Sequence, residues 1–204
     1  MKTIVQITLA VIIVVLSYLT YESIQKPIRF QAEKEIRYGK TIQRLKDIRT
    51  AQLAYKDVYG EFAPNFEKLI FFLKSDSMSV VRAIGTIPEE LLDSISEEEA
   101  VKRGMIVRDT INVSALDSLF GKTYIVDSIK YVPFTKGVMF NLANGSIETA
   151  AKVKVQIFEA SALNKDILNG LNEELIVTEG MGKDFKGLKV GSLTEANGNA
   201  GNWE

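Results

Sequence analysis

Residues 3–19 read TIVQITLAVIIVVLSYL, and no charged side chain lies between Lys2 and Glu22. Only Gln6, Thr8 and Ser17 interrupt the apolar run before the Thr20-Tyr21 edge. A bilayer core is crossed by about 20 mostly apolar helical residues, with a lower limit near about 17. Residues 3–21 meet that length, and Tyr18 and Tyr21 stand where interfacial aromatics belong. The reading is a single membrane anchor over 1–21, its span marked by Ile4, Leu9, Ile12, Val15 and Leu19. A cleaved signal peptide has a shorter apolar core, about 7–15 residues, and a small-x-small cleavage site. Here the run closes in Ser17-Tyr18-Leu19-Thr20-Tyr21 and no Ala-x-Ala follows. A helix apolar on every face must be wholly buried or in lipid.

With the anchor set aside, about 180 of the 204 residues remain, enough for a domain with its own core. The 25 basic and 26 acidic residues leave a net charge of −1, so no basic field points to nucleic acid. Cysteine and histidine are both absent. Disulfides, thiolate chemistry, Cys- or His-ligated metals and the commonest general base are thereby excluded. The expectation is a protein without catalytic residues, metal or cofactor, and not an enzyme.

Beyond the anchor, Pro27 removes a helical hydrogen bond and predicts a kink near Gln25–Pro27. Residues 28–59 read as a long amphipathic helix, with Tyr38, Ile42, Leu45, Ile48, Gln52, Tyr55 and Tyr59 at three- and four-residue steps. Gly60 is its expected stop, and Asn65 the cap of a short helix ending near Leu73. Val80 to Ile84 suggests a strand, Ser96 to Gly104 a capped helix, and Met105 to Val113 a second strand. From Lys122 the period changes to two. Tyr124–Val132, Val138–Ala143 and Ile147–Phe158 read as strands, with Asn144-Gly145 as a hairpin turn. Asn164–Leu171 reads as a short helix and Gly187–Ser192 as turn chemistry. The divisions are 1–21 anchor, 22–60 long kinked helix, 61–179 α+β body, and 180–204 loosely ordered tail, where the lone Trp203 is costly to leave in water. The fold class is α+β: a transmembrane helix continuing into a long amphipathic helix packed on a small antiparallel sheet.

This order, together with Ile48 to Ala63 (IRTAQLAYKDVYGEFA) and Leu69, resembles the type IV pilin and type II secretion pseudopilin architecture. In those proteins an Ala-Gln and a Tyr precede a Gly and an aromatic at the end of the long helix. The chain departs from the pattern at Met1-Lys2-Thr3-Ile4-Val5-Gln6, which lacks the leader glycine, the phenylalanine and the glutamate of a prepilin. Prepilin-peptidase processing is therefore not implied. The resemblance implies a single-pass protein of a bacterial inner membrane with a periplasmic body, acting as an assembly or scaffold part of an envelope machine. Its implied partners are the bilayer, other envelope proteins and further copies through the N-terminal helices.

The basic residues give a second topology. Lys26, Arg29, Lys34, Arg37 and Lys40 follow the span and only Lys2 precedes it, which places the body in the cytoplasm as a membrane-anchored binding module. Five of the nine aspartates bear on the same question. They open Asp-Ser/Thr-apolar triplets at Asp76, Asp93, Asp109, Asp117 and Asp127. The chain's composition predicts about half of one such triplet. The triplet resembles the acceptor sequence of a bacterial O-glycosylation system acting on exported proteins, which implies Ser77, Ser94, Thr110, Ser118 and Ser128 as acceptors. The plain alternative is turn and cap chemistry, since Asp, Ser and Thr side chains bond nearby backbone. The acidic pairs Glu89-Glu90 and Glu97 to Glu99 read as helix-start carboxylates.

Overall fold

The first helix, α1, runs from Lys2 to Tyr59 without interruption, 58 residues. At a rise of about 1.5 Å per residue it is about 87 Å long. It continues through Pro27, so the proline does not divide the helix; its missing N–H frees the Ser23 carbonyl from the usual bond one turn on. The computed structural model describes residues 1–84, 99, 102–103, 105, 107–148 and 152–204. The fold is α+β. Two compact units divide it: 1–49 with 130–204, and 50–129, with α1 passing from the first into the second.

In the unit 50–129, α1 ends where Gly60 takes φ +78° and donates its N–H to the Lys56 carbonyl at 2.7 Å. That left-handed conformation suits glycine and stops the helix. The next helix, α2 (Phe66–Ser75), is capped as expected: Asn65 Oδ1 accepts from the Lys68 N–H at 3.0 Å. Leu69, Phe72 and Leu73 are fully buried with Ala51, Phe62 and Ala63. Strands β1 (Ser77–Ile84) and β2 (Val107–Ser114) pair antiparallel, Ser77 opposite Ser114 and Ile84 opposite Val107, and α3 (Ala115–Leu119) follows. Most of the Ser96–Gly104 helix lies outside the described residues, as do Glu89 and Glu90. Within that stretch Arg103 donates to Glu99 at 2.9 Å.

The stretch Tyr124–Val132 is not a strand. Val126–Ser128 forms a 3-10 turn that buries Val126, with Ile129 buried directly after it. The runs read as strands on either side of 133–137 meet at a single bridge, Tyr131 with Met139.

In the unit 1–49 and 130–204, β3 (Asn141–Glu148), β4 (Lys154–Leu163) and β5 (Gly187–Gly191) form an antiparallel sheet with β4 central. The short helices α4 (Asn164–Ile167) and α5 (Glu173–Glu179) lie between β4 and β5. Three expectations are corrected here. Asn144-Gly145 is not the hairpin turn: both residues sit mid-strand in β3, opposite Phe158 and Ile157. The strand pair closes further on, between Glu148 and Lys154. Ladder pairing with the long apolar run of β4 overrides the local turn preference of Asn-Gly. The return strand does not stop at Phe158 but reaches Leu163, because Phe158, Ala160, Ser161 and Ala162 are buried in a strand paired on both edges. Strands buried on both faces lose the period-two alternation that marks half-buried ones.

The third correction is Gly187–Gly191, which is β5 and not a turn. A Cβ on Gly191 would lie 2.1 Å from the Phe158 carbonyl oxygen, and φ there is +73°. The glycines of β5 permit close backbone approach. The segment expected to be loosely ordered is held by this strand. Asn202 Nδ2 donates to the Gly187 carbonyl at 2.9 Å, its N–H donates to the Lys189 carbonyl at 3.0 Å, and Arg49 donates to Glu204 at 2.8 Å. Trp203 lies half-buried over Gly201.

Candidate functional site

The apolar segment of α1 is the first site. No residue of its most apolar 18-residue window is buried, and it is the one described helix long and apolar enough to cross a membrane. Exposure runs from 47% at Ile12 to 69% at Ile4, with Leu9, Val15 and Leu19 between. In water that surface is unfavourable at about 25 cal/mol per Å², which is why such a segment seeks lipid.

Where α1 leaves this segment, a groove of about 480 Å³ opens between it and α5. Leu19, Glu22, Ser23, Lys26 and Pro27 line it from α1, and Asn172, Glu174 and Leu175 from the start of α5. Lys26 Nζ lies 3.5 Å from Glu22 Oε1. The α1 side recurs at three- and four-residue steps in sequence and is legible as one helix face. The α5 side is some 150 residues away, and no local pattern announces it.

Further along α1, polar side chains hold it to α4 and α5. Tyr38 Oη donates to Asn164 Oδ1 at 2.6 Å. Lys34 Nζ donates to Glu179 Oε2 at 2.7 Å, and Lys183 Nζ to Glu179 Oε1 at 2.6 Å. Arg37 donates to the Asn169 carbonyl at 2.8 Å and to Glu33 at 2.8 Å. Burial, and then the charge of Glu179, push the Tyr38 phenol up to about 12. Burial alone would raise the Glu179 carboxyl, but its bonds from Lys183 and Lys34 hold it below the ordinary carboxylate range. Both shifts move away from neutrality, so neither group is poised to exchange protons at pH 7. Asn164 is only 3% exposed, and among the described residues its Nδ2 has no hydrogen-bond partner.

In the unit 50–129 the buried Gln52 amide makes a reciprocal pair with the backbone of Ala63. Nε2 donates to the Ala63 carbonyl at 3.0 Å, and the Ala63 N–H donates to Oε1 at 2.8 Å. Beside it Tyr55, Tyr59 and Phe72 pack with ring centroids 4.5 to 6.1 Å apart. Tyr59 Oη also bonds Asp76 Oδ2. The rings of this cluster contact one another, and a groove of about 440 Å³ beside them is lined by Tyr55, Tyr59, Glu67, Lys68, Phe71 and Phe72.

Of the acceptor residues named from sequence, Ser77, Thr110, Ser118 and Ser128 belong to the unit 50–129. Ser77 is exposed at the start of β1, and Ser118 is exposed on α3. Thr110 sits in β2 opposite Val81. Ser128 Oγ donates to the Ile125 carbonyl at 2.6 Å inside the 3-10 turn. Ser94 lies outside the described residues. Among the described residues no group of three His, Cys, Asp or Glu is placed to hold a metal ion. No family model, curated protein or solved structure matches this chain.

Proposed function

We propose that this chain is a non-catalytic, single-pass membrane protein with a pseudopilin-like exported body, acting in the assembly or scaffolding of a bacterial envelope machine. One observation carries the reading: a single unbroken helix is apolar and exposed over residues 3–21 and carries buried side chains from Phe30 to Tyr55. A helix built so transmits position from a bilayer to a folded domain, which is what a scaffold part needs and an enzyme does not. The bilayer, other envelope proteins and further copies through the N-terminal segments are its proposed partners.

The cytoplasmic binding module is kept as a second reading because of the basic residues that follow the span. Two of them have structural duties that account for their presence: Lys34 pairs with Glu179, and Arg37 with Glu33 and backbone carbonyls. That supports the exported topology, in an inner membrane with the body in the periplasm. Protease added to intact spheroplasts is expected to digest the body. Resistance until the membrane is lysed would move the body to the cytoplasm and end the exported reading.

The exported topology also makes O-glycosylation accessible. Ser77 and Ser118, whose positions are exposed, are the favoured acceptors over Ser128, whose hydroxyl already serves a turn. The intact mass of the protein from its native host is expected to exceed that of the bare chain. A mass equal to the bare chain removes this support for export.

A further inference from the structure

We propose that the groove between α1 and α5 is the seat of one phospholipid headgroup, of the zwitterionic class that carries a primary ammonium. The inference rests on the membrane-anchor reading above and adds a ligand to it.

Position along α1 is the first argument. Leu19 lies two residues inside the end of the apolar segment at Tyr21, about 3 Å, and Pro27 six residues beyond it, about 9 Å. The hydrocarbon core is about 30 Å thick and the whole bilayer about 40–45 Å, leaving about 5–8 Å of headgroup on each side. The groove therefore spans that layer, from the acyl boundary at Leu19 to the water side at Pro27. Because α5 lines the far wall, the folded body reaches down to the lipid surface at this point.

Charge is the second argument. Two carboxylates, Glu22 and Glu174, and one ammonium, Lys26, face the groove. Arg29 stands one turn of Lys26 further along in a neighbouring recess that also contains Tyr18 and Tyr21. Lys26 lines both recesses, so a phosphate seated there would meet Lys26, with Arg29 in the adjoining recess, and a primary ammonium would meet Glu22 and Glu174. Lys26 already lies 3.5 Å from Glu22, so an anionic glycerol headgroup would bring a third negative charge and no ammonium to answer Glu174. A choline headgroup has no N–H to donate.

The helix backbone is the third argument. Pro27 has no N–H, so the Ser23 carbonyl loses its helical donor, and Ser23 lines this same groove. An ammonium N–H is the kind of donor this acceptor lacks. Leu19, Leu175 and Pro27 supply apolar walls where the glycerol and the first acyl carbons would lie.

The test uses the full chain in vesicles of equal parts phosphatidylethanolamine, phosphatidylcholine and phosphatidylglycerol. Vesicle flotation comes first, followed by mild detergent extraction and mass spectrometry of the lipid retained. Phosphatidylethanolamine is expected to be retained about two- to fivefold over each of the other two lipids, the scale of one or two half-exposed ion pairs. The double variant Glu22→Gln with Glu174→Gln is expected to float and melt as the parent does and to lose the enrichment. Equal retention of the three lipids, preference for the glycerol lipid, or enrichment unchanged in the double variant each overturns the proposal. Displacement of the lipid by free phosphoethanolamine at millimolar concentration also overturns it, because the site would then take a soluble headgroup and not a lipid. A chain that fails to float with the vesicles removes the anchor reading and this proposal with it. A chain that floats without enrichment removes the lipid seat alone.

Discussion

Leu9 and Leu45 lie on one helix, 36 positions apart, and their surroundings are opposite. Leu9 is 58% exposed and Leu45 is fully buried. The backbone bonding is the same in both halves, so the helix itself does not distinguish them. What differs is the arrangement of apolar residues. Over 3–21 they occupy every face, and among the described residues none of the large apolar side chains there is buried. Over 28–59 they form a stripe, and Phe30, Thr41, Leu45, Ile48, Ala51, Gln52, Ala54 and Tyr55 become buried, while Tyr59 stays half exposed. A helix with a stripe can be satisfied by one packed neighbour, whereas a helix apolar all round needs an apolar medium.

The largest expected effect separates the halves directly. Leu45→Ala should cost about 2–5 kcal/mol of folding stability, as large-to-small changes in a core do. Leu9→Ala should leave it unchanged. Thermal unfolding of the full chain in detergent, followed by the fluorescence of the single Trp203, reads both. Equal losses would mean that the first half packs against protein and would dissolve the distinction.

Ile12→Arg tests the first half in its own medium. A charge near the centre of a span costs about 2.5–3.5 kcal/mol in insertion. The variant is expected to move from the membrane pellet toward the supernatant after alkaline extraction. Unchanged partition would show that the segment does not cross the bilayer.

Within the second half, Gln52→Leu keeps the bulk and removes the amide. It leaves the Ala63 N–H and carbonyl buried without the partners they now have. A loss of about 1–3 kcal/mol in the same unfolding measurement is expected. No loss would reduce Gln52 to a space-filler.

The smallest effect is a pH dependence. Tyr38 stays protonated in the folded chain up to about 12, above its ordinary value of 10.0. Its contribution is fully present below pH 10 and is lost as pH rises toward 12, because the unfolded chain releases the proton first. Tyr59, through its bond to Asp76, and Tyr55, through burial, are raised as well and share in the decline. Tyr38→Phe is therefore expected to make the fall in stability between pH 10 and 12 shallower without removing it. An unchanged slope would mean that Tyr38 is not shielded from water.

Gly60, Asn65 and most of the stripe read from Tyr38 to Tyr59 were readable because each depends on residues within one or two turns; Tyr59, its last member, is half exposed. A left-handed stop, a side-chain cap and a 3.6-residue period are local physics. The Asn144-Gly145 turn and the end of β4 were misread for the complementary reason. Their conformation is set by a partner strand, and β4 is paired on both edges. The glycines of β5 read as turn residues when alone, although the tight approach of β4 is what requires them.

For the candidate sites the same division holds. The sequence by itself determined that a charge-free segment of bilayer length precedes a striped helix, since charge, length and period are properties of the chain alone. It also determined the Asp-Ser/Thr triplets and the absence of cysteine and histidine. Only the tertiary structure decided that α5 lies across the end of that segment, that Lys34 meets Glu179, and that Tyr38 meets Asn164. Those partners stand more than 120 residues apart, and which of many carboxylates or amides a given side chain meets is settled by how the sheet and short helices pack, not by any neighbour in sequence.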